Sequence, residues 1–281
     1  MNEAHKPAPA MQRAFPPGTE SNEAFLRVLG IRKDFGEGGQ RRNVLSGVDF
    51  SIQRGSFVSL LGASGCGKST LLQIIAGLQQ ADGGAVELDG QRIEAPPFQM
   101  LYLFQQYTKS IFPWRSVKGN IAFGMESRKK WSRREITQRC DELIRLVGLE
   151  GYGDYYPRQL SGGMQQRVAI ARALACEPDV LLMDEPFSAV DAMTRSSLQD
   201  LVLQLWSNLG LTIIFVTHDV AEAVYLSDRI IVLRKSPHNV ALDMHIELPY
   251  PRDHLLTPEM PAFLQYRHQL FQEIHKAEAA R

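Results

Sequence analysis

Gly62 to Thr70 reads GASGCGKST, which fits G-x-x-x-x-G-K-[ST], and it joins an apolar run, FVSLL, to a run with helical spacing, TLLQIIAGL. No other stretch constrains the fold as much, because a loop of this kind needs a buried strand before it and a helix after it. Its glycines let consecutive backbone N–H groups turn inward around a phosphate at the positive end of the helix. Gly62, Ala63, Ser64, Gly65, Cys66 and Gly67 supply that cradle, Cys66 through its N–H and not its thiol. Lys68 has the reach for β and γ phosphates, Ser69 brings a hydroxyl for Mg²⁺, and Thr70 can donate to an α phosphate.

Three further apolar runs end in acidic, polar or basic punctuation: DVLLMDEP, TIIFVTHD and RIIVLRK. Between these strands lie helix-spaced stretches, QQRVAIARAL and SSLQDLVLQLWSNLG, the latter stopped by Gly210. Such alternation predicts an α/β fold with a mostly parallel sheet covered by helices. Before the glycine loop, FLRVLGIRKDF and NVLSGVDFSIQRG alternate apolar and polar residues, which predicts an antiparallel β subdomain. From Glu126 to Tyr156 the pattern is helical without a strand signal, as expected of a helical lobe, about 106–176, inserted into the core. Residues 1–24 read as a disordered tail and 249–281 as a C-terminal helical extension, with Phe263, Tyr266, Leu270 and Ile274 on one stripe.

Composition removes several function classes. The 31 basic and 31 acidic residues cancel, leaving no electrostatic footprint for nucleic acid. Cys66, Cys140 and Cys176 lack the paired spacing of a zinc site or a disulfide framework. No apolar run reaches the roughly 18 residues of a transmembrane helix.

Two acids close the run VLLMDEP at the carboxyl edge of a strand, where open α/β sheets bind ligands. In phosphate-loop NTPases the first acid holds Mg²⁺, here Asp184, which leaves Glu185 to orient and polarise an attacking water. His218, at the end of TIIFVT, can hydrogen-bond a γ-phosphate and sense its loss.

The phosphate loop, LSGGMQQR, LLMDEP, SAVD and VTH, in this order and spacing, resemble the nucleotide-binding subunit of ATP-binding cassette (ABC) transporters over residues 25–248. The resemblance implies a P-loop NTPase core that binds ATP and Mg²⁺, with two ATP molecules sandwiched between two head-to-tail subunits. It assigns Ser161, Gly162 and Gly163 to ATP held by the opposite subunit, and Asp191 of SAVD to the loop that crosses the dimer interface. Gln105, rather than Gln106, corresponds to the residue that approaches Mg²⁺ and the attacking water. Phe35 falls where the family offers an aromatic ring to adenine. The fifth signature position is Met164, where the family has Gln.

The segment YTKSIFPWRSVKGNIAFGM is similar to the corresponding region of importers for nitrate, sulfonates and taurine, which makes Phe112, Pro113 and Trp114 candidate contacts for a membrane subunit. The implied protein is the ATP-hydrolysing subunit of a bacterial importer for a small anionic solute, held at the cytoplasmic face of the membrane by permease subunits. An extracytoplasmic solute-binding protein would be an indirect partner. An exporter or lipid-trafficking motor, or a soluble non-transport ABC ATPase, is the alternative.

Overall fold

A computed structural model describes residues 24–36, 42–105, 110–126, 130–188, 190–235 and 239–279. Gln106, Ala189 of the SAVD run and the N-terminal segment before Ala24 fall outside these residues.

Two sheets form the body. The first is antiparallel, in the order β2-β1-β4-β5, built from β1 (Leu26–Phe35), β2 (Arg42–Ile52), β4 (Gly83–Leu88) and β5 (Gln91–Arg92). The second has the order β10-β9-β3-β8-β7-β6. Its members are β3 (Phe57–Gly62), β6 (Met100–Leu103), β7 (Val180–Asp184), β8 (Thr212–Thr217), β9 (Arg229–Leu233) and β10 (Val240–His245). All but the edge strand β10 run parallel. The antiparallel pair β1/β2 and the parallel α/β core are as the alternation patterns predict. The strands β4, β5 and β10 are short and mixed in polarity, and β4 and β10 are half-buried at half or more of their positions, so periodicity alone does not mark them.

Because strand side chains alternate, the parallel sheet feeds two apolar cores at once. Phe57, Leu61, Leu181, Met183, Ile213 and Phe215 join one core; Val58, Leu60, Val180, Leu182, Ile214 and Val216 join the other. The second core is closed by the antiparallel sheet and α1 (Lys68–Ile75). The first is closed by α2 (Val117–Glu126), α3 (Arg133–Leu146), α4 (Gly162–Leu174), α5 (Ala192–Leu209), α6 (Val220–Leu226) and α7 (Pro261–Ala279). The helices between β6 and β7 share this core: Ile121, Leu143 and Val168 belong to the same cluster as Leu181 and Phe215.

Local chemistry sets the helix ends. Ser132 and Glu135 form a reciprocal capping box at the start of α3. Gly210 closes α5 at φ 61, a left-handed turn that only glycine adopts without cost. On α7, Phe263 and Leu270 are buried, with Tyr266 and Ile274 packed against the core beside them. Among the described residues no helix is long and apolar enough to cross a membrane.

Candidate active site

Four neighbouring parallel strands, β3, β8, β7 and β6, end at one edge of the sheet, and the registers Leu61↔Thr217, Asp184↔Val216 and Leu103↔Met183 bring their ends level. The phosphate loop, His218, the pair Asp184–Glu185 and Gln105 follow from those ends. Residues separated by over a hundred positions thus become neighbours.

The loop leaves β3 at Gly62 and enters α1 after Gly67, whose φ of 99 is left-handed. A side chain at Gly67 would sit 2.8 Å from Leu45 Cδ2, so β2 presses against the loop and admits only glycine there. Lys68 is buried and its ammonium donates to the carbonyls of Gly62 (2.7 Å) and Ala63 (3.0 Å). Burial pushes the Cys66 thiol above its ordinary range, so it stays protonated and contributes through its backbone. Ser64 and Gly65 are exposed at the loop's tip, Ala63 and Thr70 are half-buried, and Phe35 offers an exposed ring at the end of β1 with the Lys33 ammonium 5.7 Å from its centre.

Ser69 Oγ donates to Asp184 Oδ1 at 2.9 Å, tying the loop to the end of β7. Tyr102 OH donates to the other oxygen, Oδ2, also at 2.9 Å. Burial raises the Asp184 pKa, while the bonds from Tyr102 and Ser69 pull it down. Among the described residues no cluster of His, Cys, Asp and Glu could hold a metal unaided. Carboxylate, hydroxyl and amide oxygens from Asp184, Ser69 and Gln105 nevertheless suit Mg²⁺, a hard cation that completes its shell with water and substrate phosphates.

Glu185 follows at φ 44, a left-handed conformation that costs a side-chain-bearing residue about 1 kcal/mol or more. The bend is held from several sides. Glu185 N–H donates to Val216 O at 3.0 Å, the Ser188 hydroxyl donates to Glu185 O at 3.0 Å, and the Gln166 amide of α4 donates to Pro186 O. It brings the carboxylate into the reach of two partners. Gln105 Nε2 lies 3.4 Å and His218 Nδ1 3.2 Å from the same Oε2. A carboxylate so flanked can accept a proton from a water lined up against a phosphate.

The turn bearing His218 is braced from behind. Glu222, buried on α6, accepts from Thr217 Oγ1 at 2.5 Å and from Gln199 Nε2 of α5 at 2.9 Å. Burial raises the Glu222 pKa. Tyr102, Gln199 and Glu222 are not singled out by the sequence because their partners come from other strands and helices. For Glu222 the available signal is a polar residue at an inward position of a helix.

The signature segment opens α4, which reaches the Glu185 bend through Gln166. Ser161 and Gly162 are exposed, and Ser161 Oγ caps α4 by accepting from Met164 N–H at 3.3 Å. A capping hydroxyl still has its own hydrogen to donate. Met164 packs against the large core, so the fifth signature position points inward. Asp191 caps α5 by accepting from Thr194 N–H (3.0 Å) and Oγ1 (2.6 Å). Gly163 abuts that same first turn: a Cβ on it would meet Thr194 Cγ2 at 2.4 Å. Gly163→Ala should therefore destabilise the fold by about 1–3 kcal/mol in urea unfolding. Adding Thr194→Ser, which removes the methyl and keeps the capping hydroxyl, should restore most of it; no restoration would mean the glycine is required for another reason.

The chain belongs to the ABC transporter ATP-binding family, whose profile matches residues 45–188. It is an ATPase of that class. It is 45% identical over 246 residues to the aliphatic sulfonates import ATP-binding protein SsuB of Bacillus subtilis, covering 88% of this chain and 92% of that protein. It is 42% identical to the nitrate import ATP-binding protein NrtC of Synechococcus elongatus, covering 92% of this chain and 39% of that longer protein. Among solved structures, a dimeric ATP-binding cassette bound to ADP and phosphate in a post-hydrolysis state matches with a TM-score of 0.68 and 30% identity, covering 80% of this chain and all of that one.

Proposed function

We propose that this chain is the ATP-hydrolysing subunit of an importer for a small anionic solute of the sulfonate, nitrate or bicarbonate type. The observation that carries the reading is the convergence of Gln105 and His218 on one oxygen of Glu185, beside the Ser69–Asp184 pair. In this reading the amides of the phosphate loop and Lys68 hold the phosphates of ATP, and Phe35 stacks on adenine. Glu185 takes the proton of the attacking water, Gln105 helps to align that water, and His218 bonds the γ-phosphate. Ser69 and Asp184, with Gln105, would hold Mg²⁺, which neutralises phosphate charge.

Ser161, Gly162 and Gly163 meet the γ-phosphate bound by a second copy of the chain, and Asp191 lies at that interface. The named relatives support the solute class: SsuB is a sulfonate import protein, NrtC a nitrate import protein, and CmpC of Synechococcus elongatus, 44% identical, a bicarbonate transport protein. A cassette of Clostridium perfringens described as part of an ABC transporter complex has a TM-score of 0.70 and 29% identity, which supports permease partners. On the lobe, Trp114 is 71% exposed beside Phe112 and Phe123, a surface aromatic cluster suited to a membrane-subunit helix. A solute-binding protein outside the membrane would complete the system.

Affinity purification of the tagged chain from solubilised membranes should recover a multi-span permease, and deleting the gene should abolish uptake of labelled sulfonate, nitrate or bicarbonate. Recovery of no membrane protein together with unchanged uptake of all three would sink the proposal.

A further inference from the structure

Tyr102 belongs to no motif, yet its hydroxyl occupies the second oxygen of Asp184. The placement follows from register. Tyr102 on β6 pairs with Leu182 on β7, and Asp184 lies two residues beyond Leu182, hence on the same face of the strand. That face looks toward α1 and the second core, against which Tyr102 packs. From α1, Ser69 reaches Oδ1 of the same carboxylate and the side chain of Gln73 bonds the phenol. Asp184 is thus gripped between the phosphate loop and the strand that runs through Phe104 into Gln105. The Tyr102 and Phe104 rings pack with centroids 4.6 Å apart.

A phenol hydroxyl has one hydrogen to give, and Tyr102 gives it to Asp184. A carboxylate of which one oxygen is taken by a buried-side phenol hydroxyl cannot rotate freely. Its other oxygen stays on the Ser69 side, where the phosphates of a nucleotide in the loop would lie.

We propose that Tyr102 is a positioning residue for the cation site: it locks the Asp184 carboxylate in the orientation that receives the divalent ion and fastens that carboxylate to the base of the Gln105 loop. The inference rests on the assignment of Asp184 to Mg²⁺. It adds a residue from the edge strand of the sheet to a site otherwise composed of the phosphate loop and the end of β7.

The test is the factor by which Mg²⁺ tightens binding of a fluorescent, non-hydrolysable ATP analogue to the full-length chain, compared with binding in EDTA. Tyr102→Phe keeps the ring and deletes only the donor. It should leave the EDTA affinity unchanged and reduce the Mg²⁺ factor about tenfold or more, the scale of one lost hydrogen bond to a charged group. Tyr102→Leu, which also loses the ring, should lower the unfolding temperature further and reduce the Mg²⁺ factor no more than Tyr102→Phe does. Asp184→Asn serves as the reference. If it removes the Mg²⁺ effect while Tyr102→Phe retains the full factor, the positioning role is overturned and the metal assignment stands. If Asp184→Asn keeps the full factor, the assignment fails and the inference with it.

Discussion

Glu185→Gln should lower ATP hydrolysis by about a hundredfold to ten-thousandfold while leaving ATP affinity within the range of the parent chain. The change is isosteric and removes the negative charge together with the capacity to take a proton. Gln105 and His218 both face the oxygen in question, at 3.4 and 3.2 Å, so an amide there keeps neighbours and shape but not basicity. The left-handed bend is held by the Val216 carbonyl, Ser188 and Gln166, none of which the substitution touches, so the variant should unfold at the parent's temperature. With hydrolysis blocked, ATP should hold two copies together, visible as a dimer in gel filtration that ADP does not produce. Near-normal turnover would remove Glu185 from its role.

The second large effect concerns the signature segment. Ser161 is exposed at the start of α4, and its hydroxyl accepts from Met164 N–H within its own helix turn. Ser161→Arg should abolish most hydrolysis, and so should Lys68→Ala. A mixed dimer of the two has one composite site built from an intact phosphate loop and an intact signature. Randomly mixed populations should therefore recover up to about a quarter of parental activity, since half the dimers are mixed and each carries one working site of two. If Ser161 acted within its own chain, every subunit in the mixture would be defective and no activity would return.

Much of the catalytic edge is legible in the sequence because the loop, the acid pair and the histidine each sit where an apolar run stops. A run that stops at a polar residue is a strand leaving the core, and parallel strands place all such exits on one side. Gly62, Lys68, Ser69, Asp184, Glu185 and His218 could be named on that ground. The remainder depends on registers that no local pattern encodes. Tyr102 reads as one more apolar residue of LYLF until its strand is laid beside β7. Gln199 and Glu222 have no visible partner in the sequence until their helices dock behind Thr217.

Gly163 shows the same division at a residue the sequence did single out. Its glycine identity looks like an amide left bare for a phosphate, whereas the packed structure also places it 2.4 Å, measured from a would-be Cβ, from a Thr194 methyl on another helix. Residue types and spacing by themselves determined the fold class and the alternation of strands and helices, because those depend on local conformational preference and hydrophobic periodicity. Only the tertiary structure decided which side chains share an oxygen, since strand order β3-β8-β7-β6 and the docking of α4, α5 and α6 follow from burying both faces of one sheet, a condition satisfied by the whole chain at once.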